Sequence, residues 1–201
     1  MSGTEGYADE ADFLFQQYES ISFADVHRPV LHLIPPVPCR VLDIGSGTGR
    51  DAAGFAAMGH QVVAVEPTGA LRTRAKIPHP SPMIEWLDDS LPELTTIGAR
   101  NQTFDVVMLT AVWMHLDEGQ RHLAMPRVVS LLQHGIVMIM SLRYVPVPKG
   151  RRMFAVSVEE TISLAEAAGL RVVLKREAGD GALRRPGVTW ARLAMVKNGP
   201  R

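Results

Sequence analysis

The stretch Asp43-Ile44-Gly45-Ser46-Gly47-Thr48-Gly49 sets a carboxylate just ahead of three alternate glycines. An apolar run at 41–44 leads into it and an alanine-rich helical stretch leaves it at Arg50, so it reads as buried strand, tight turn and helix start. Glycine is required where backbone turns with φ > 0 or where a ligand must approach it closely. The helix start adds free N–H groups and the positive end of its dipole. Asp43 can accept hydrogen bonds from an ammonium or from hydroxyls. A second apolar run ends in Glu66-Pro67, 21 residues beyond Gly45. An acid about that far on accepts from both ribose hydroxyls in nucleotide-binding βαβ units. The pair predicts a site for a nucleoside ligand with an amino-acid end. A dinucleotide fingerprint would need glycine where the chain has Arg50, which disfavours a nicotinamide dehydrogenase.

The elements that must position these residues alternate. Strands are expected at 41–44, 62–66, 83–87, 105–110 and 136–142, with helices at 50–58, 69–76, 118–132 and 157–168. The unbroken apolar run Val106-Val107-Met108-Leu109 suits a strand covered on both faces. The architecture is α/β, doubly wound, with the ligand at the carboxyl ends of the central strands. Two late runs, 171–175 and 189–196, complete the sheet, joined by the glycine- and arginine-rich stretch 178–187. Ahead of the first strand, 1–8 reads as a mobile start and 9–20 and 23–34 as helices, stopped by Pro35-Pro36-Val37-Pro38.

The pattern Asp43-x-Gly45-x-Gly47-x-Gly49 resembles that of class I S-adenosylmethionine-dependent methyltransferases of the small bacterial type, over roughly residues 40–175. The resemblance implies a Rossmann-like, seven-stranded, mostly parallel sheet with helices on both faces and an antiparallel last strand. It implies S-adenosyl-L-methionine as cofactor and S-adenosyl-L-homocysteine as product. It divides the chain into an N-terminal helical lid segment, 1–38, and a methyltransferase domain, 39–201, within one compact unit. The lid makes Tyr18, and beside it His27 and Arg28, candidates for contacts over the site.

The cofactor residues carried over are Asp43, Gly45, Ser46, Gly47, Gly49, Glu66 and Pro67. After the third strand, Asp88, with Asp89 as the alternative, matches the family's acid for the adenine amino group, and Trp86 or Leu87 would pack on the ring. One of the two aspartates could instead cap a short helix beginning near Ser90. At the end of the fourth strand, Ala111 and Val112 would line the cofactor, and Trp113 and His115 would face the acceptor. His115 is the nearby residue whose ordinary pKa suits a base, with a purely structural role as the alternative. The tetrad Asn/Asp-Pro-Pro-Tyr of amino-methyltransferases acting on adenine or glutamine is absent, which speaks against those acceptors. Arg143, Tyr144 and Arg152, in the loop after the fifth strand, are substrate candidates, since an arginine fork favours carboxylate or phosphate.

The 201 residues carry 21 basic and 21 acidic side chains, a balance that argues against a dedicated nucleic-acid binder. The balance is uneven, because 143–152 holds four bases and no acid while the chain before His27 holds acids only. The apolar runs are too short to span a membrane, and the start lacks a signal peptide's pattern, so a cytoplasmic protein is expected. Cys39 stands alone, which excludes an intrachain disulfide, and it reads as a packing residue. No cluster at metal-ligand spacing stands out, and no metal is expected. The expected function is methyl transfer to a small molecule by a monomer or homodimer. RNA or protein acceptors, or a non-catalytic cofactor-binding module, are the alternatives.

Overall fold

In the computed structural model, which describes residues 3–144, 147–178 and 187–199, seven strands join in one sheet. They are β1 (Arg40–Ile44), β2 (Gln61–Val65), β3 (Ile84–Leu87), β4 (Phe104–Thr110), β5 (Leu132–Arg143), β6 (Leu170–Ala178) and β7 (Trp190–Lys197). Their order is β3-β2-β1-β4-β5-β7-β6, with β7 antiparallel to both neighbours and β1 to β5 parallel. The order reverses between β1 and β4, which is where a doubly wound sheet opens a crevice beyond its strand ends. The expected fold is the observed one.

Seven helices accompany the strands: α1 (Ala11–Glu19), α2 (Phe23–His27), α3 (Arg50–Ala57), α4 (Gly69–Ala75), α5 (Thr95–Gly98), α6 (Glu118–Ser130) and α7 (Val158–Ala167). Val41, Ala52, Phe55, Val62 and Ile139 pack together on the α3 side of the sheet. Val107, Leu109, Trp113, Met125, Met140 and Leu193 fill the other side. Phe55 is fully buried, and side chains of this kind contribute about 1.5–3 kcal/mol each by leaving water. Alternate residues of each strand feed opposite layers, which explains the continuous apolar run of β4.

Four boundaries differ from expectation. The second N-terminal helix stops at His27 and resumes as a 3₁₀ turn, Leu31–Leu33, because Pro29 has no N–H and its ring clashes inside a helix. The helix expected near Ser90 begins at Thr95, and Asp89 Oδ2 accepts from the Ile97 N–H at its start. β5 starts at Leu132, earlier than the apolar run suggested, and its register to β4 shifts between the Phe104 and Val106 pairings. Gly135, at φ 79°, absorbs that irregularity. Residues 3–8 are folded back on the protein instead of trailing free. Gly3 and Gly6 permit it, since an added Cβ would lie 3.0 Å from the His115 carbonyl and 2.8 Å from the Gly150 carbonyl. Most of the expected 178–187 connection lies outside the described residues.

Candidate active site

β1 delivers Asp43 to the crevice, and the glycine turn then carries the backbone across its mouth. Gly45 has φ 72° and could hold no side chain, since a Cβ would sit 2.5 Å from Val112 Cγ2. Gly47, at φ 56°, differs: beyond its own turn nothing stands within 4 Å of the Cβ direction, so its face is open to a ligand. Glu66, at the end of β2, ties the turn in place. Its Oε2 accepts from the Gly47 N–H at 2.9 Å and its Oε1 from the Thr68 N–H at 2.8 Å. Burial raises the Glu66 pKa against the pull of these donors and of Arg72.

Asp43 is buried and its Oδ2 has no hydrogen-bond partner. Burial, with the Asp51 carboxylate and then Glu66 adding repulsion, pushes its pKa well above the usual carboxylate range. The buried Ser46 hydroxyl likewise lacks a partner. Orphaned buried polar atoms of this kind call for a ligand that completes them. An ammonium suits Asp43, and hydroxyls suit the Glu66 side.

Asp51, in the first turn of α3, was not singled out from the sequence. Its Oδ2 lies 2.8 Å from His27 Nε2 and accepts from the Thr110 hydroxyl at 2.7 Å, while Oδ1 accepts from Arg50 Nε at 2.8 Å. Burial alone would raise its pKa, but His27 and Arg50 hold it well below the usual range. His27 is thus buried against Asp51 beneath the N-terminal helices, and is no surface residue. α2 reaches α3 at Gly54, where a Cβ would collide with the Phe23 ring at 2.3 Å.

A cavity of about 260 Å³ opens between the strand ends and α1, and Asp43, Gly45, Ser46, Gly47, Glu66, Pro67, Asp89, Ala111, Val112, His115, Arg143 and Tyr18 all line it. Gly49 sits one step back as the αL residue before α3, with Trp86 against it. Ala111 is held at φ 59°, and its N–H donates to Ser141 Oγ at 2.9 Å. A non-glycine residue in that region costs about 1–3 kcal/mol, and such strain gathers at functional sites.

Six expected residues lie elsewhere. Asp88 is exposed and paired with Arg72 at 2.6 Å, leaving Asp89 as the acid at the cavity. Trp113 is 1% exposed in the core and does not face the cavity, because the 3₁₀ turn Trp113–His115 swings it under the sheet. Tyr144 borders a separate groove with Ser157 and Glu159. Arg152 stacks over Phe154 and lies 3.6 Å from Asp117. Trp86 and Leu87 are outside the cavity, where Leu91 takes the apolar place instead.

His115 stands at the far end. Its Nδ1 is 2.9 Å from the Arg152 carbonyl, which can only accept, so the proton sits on Nδ1. Nε2 is left to accept from the Tyr7 hydroxyl at 2.9 Å. Burial lowers the His115 pKa, against the Arg152 carbonyl and with the help of Arg151 and Arg143. Tyr7 is itself clamped, with the Arg151 guanidinium 3.7 Å over its ring and Glu10 2.5 Å from that guanidinium. Tyr7, Arg151 and Asp51 were missed in the sequence because nothing local marks them. An acid in a first helical turn was the one available hint, for Asp51.

Cys39 is no nucleophile: burial, with Asp105 nearby, pushes its thiol up to about 11. Among the described residues no group of His, Cys, Asp and Glu could hold a metal ion, and no helix is long and apolar enough to cross a membrane.

Residues 41–135 match the family model of a methyltransferase domain. Just under half of the chain is thus similar to a methyltransferase domain. The matched span contains the glycine turn, Glu66, Asp89 and the β4 end. Among solved structures, the chain is similar to the TehB-like SAM-dependent methyltransferase of Corynebacterium glutamicum, with 18% identity, TM-score 0.71, and coverage of 94% of this chain and 99% of that one. It is also similar to the 1,6-didemethyltoxoflavin-N1-methyltransferase of Burkholderia thailandensis, whose structure holds 1,6-didemethyltoxoflavin and S-adenosylhomocysteine: 19% identity, TM-score 0.66, covering 96% and 88%. A third is the magnesium protoporphyrin IX methyltransferase of Synechocystis, with bound SAM: 14% identity, TM-score 0.67, covering 96% and 85%. At these identities the likeness is one of fold. A search of curated protein sequences finds no match.

Proposed function

We propose that the protein is a methyltransferase that binds S-adenosylmethionine in the cavity and methylates a small molecule that enters beneath the N-terminal helices. The observation that carries this is the pairing of the orphaned Asp43 carboxyl with Glu66 across the open face of Gly47. Asp43 would meet the ammonium of the cofactor's amino-acid end and Glu66 the ribose hydroxyls. Asp89 and Leu91 would border the adenine, and Ala111 and Val112 the sulfur side. When bound, the cofactor supplies a methyl group on a sulfonium, already a good leaving group.

The chain's own work is positioning and the exclusion of water. Tyr7, Leu14 and Tyr18 roof the cavity, which favours an enclosed small acceptor over a polymer. Where the acceptor carries a proton, the route offered runs through Tyr7. Its hydroxyl takes that proton as its own passes to His115 Nε2, while Nδ1 stays bound to the Arg152 carbonyl.

Calorimetric titration with S-adenosylmethionine, S-adenosylhomocysteine, NAD and NADH tests the reading. Micromolar binding of the two sulfur ligands alone is expected. Binding of NADH, or of none of the four, would overturn it.

A further inference from the structure

Among the described residues, four arginines line the cavity: Arg50, Arg143, Arg151 and Arg192. Three have work inside the protein. Arg50 is paired with Asp51, Arg151 with Glu10, and Arg143 donates to Met153 Sδ at 3.2 Å. Arg192 is different. It is 8% exposed on β7, and its side chain makes no hydrogen bond or ion pair with any described residue. The acid that acts on it, Asp51, is already engaged by His27, Arg50 and Thr110. The Arg192 nitrogens open onto the cavity and meet no free anion of the protein, so an anionic ligand is the partner that the cavity can supply.

Register fixes where that anion sits. Arg192 is directly opposite Ser141 on β5, and Ser141 is opposite Thr110 on β4. Arg192 is therefore three strand spacings from β1, about 14 Å at ~4.8 Å per strand. The nucleoside side of the cavity lies over β1 and β2, with Asp43 and Glu66. The Arg192 backbone lies across the β4 end from it, and its guanidinium comes near Asp51 and Arg50 at the start of α3. Arg143 is two residues beyond Ser141, on the same face of β5. The remaining wall there is apolar, with Val26, Met153 and Trp190.

We propose that Arg192, with Arg143 near it, binds an anionic group of the methyl acceptor, and that the acceptor is a small carboxylic acid with an apolar body. The proposal rests on the methyl-transfer reading above. A carboxylate matches the planar guanidinium fork with two oxygens, and its charge also complements the cationic sulfonium of a bound cofactor. Burial, with Arg50 and Arg176 nearby, lowers the Arg192 pKa against the pull of Asp51, as expected where positive charge outweighs its partners.

The test uses the full chain saturated with S-adenosylhomocysteine and a panel of acetate, benzoate, phenylacetate and indole-3-acetate, each beside its neutral amide. Thermal melting and calorimetry read binding in wild type, Arg192→Met and Arg192→Lys. At least one acid should bind wild type about tenfold or more tightly than its amide, and Arg192→Met should erase that preference. Arg192→Lys, which keeps charge but loses the fork, should fall between. S-adenosylhomocysteine affinity should change less than about twofold, because β7, which carries Arg192, stands three strands from β1. The proposal is overturned if no acid of the panel is preferred to its amide, or if Arg192→Met leaves the preference intact. A tenfold loss of S-adenosylhomocysteine affinity in Arg192→Met would assign the arginine to the cofactor's own carboxylate instead. Failure of wild type to bind S-adenosylhomocysteine would remove the methyl-transfer reading first, before any acid is added.

Discussion

Glu66→Gln separates the two tasks that the structure gives one carboxylate. Both oxygens of Glu66 accept backbone N–H groups, from Gly47 at 2.9 Å and Thr68 at 2.8 Å. An amide has one oxygen and one NH2, so one buried N–H would face another donor. An unsatisfied buried group costs about 1–3 kcal/mol. For a chain of this size each kcal/mol lowers Tm by about 2–4 °C, so a fall of about 2–12 °C is expected in the ligand-free protein. The second task is the proposed hold on the ribose hydroxyls. Hydrogen bonds to a charged group contribute about 1.5–3 kcal/mol, so S-adenosylhomocysteine should bind about 10- to 150-fold more weakly. Melting curves measure the first effect and calorimetry on the fully folded variant the second. A variant that melts early yet binds with wild-type affinity would refute the ribose role and leave Glu66 as a clamp on the glycine turn. Unchanged melting would refute the structural account.

Other outcomes follow from the same geometry. His27→Ala leaves a buried carboxylate with one hydrogen-bond partner fewer; an unsatisfied buried group costs about 1–3 kcal/mol, so Tm should drop by about 2–12 °C. A drop under about 2 °C would show that Asp51 does not depend on His27. The pH dependence of stability should carry the mark of His115. Its folded pKa lies below the ordinary 6.5, so on acidification through ~6.5 the unfolded chain takes up a proton that the folded site resists. That contribution is present above ~6.5 and is lost as pH falls towards the folded value, and His115→Gln should flatten the profile there. Tyr7→Phe should slow turnover of a protonated acceptor with little change in S-adenosylhomocysteine affinity, since the hydroxyl lies at the His115 end; an unchanged rate would remove Tyr7 from the proton route.

The sequence by itself determined the sheet and the glycine-turn side of the cavity. Periodicity places the strands, and the Asp43 to Glu66 pattern is local, because a turn and the strand beside it must be built from those residues at that spacing. Asp89 was half legible, since two adjacent acids alternate across a strand end and local information does not say which faces inward. Asp88 turned out to pair with Arg72, a residue from the preceding helix. Tertiary structure alone decided the His115 side of the cavity. Tyr7 reaches His115 across 108 residues, His27 reaches Asp51 across 24, and Arg192 meets the cavity through the antiparallel insertion of β7 between β5 and β6. Trp113 shows the same limit in reverse: its type suggested a binding surface, and the turn after β4 put it in the core. A short-range motif fixes its own geometry, whereas a side chain's partner across the fold depends on how whole layers pack.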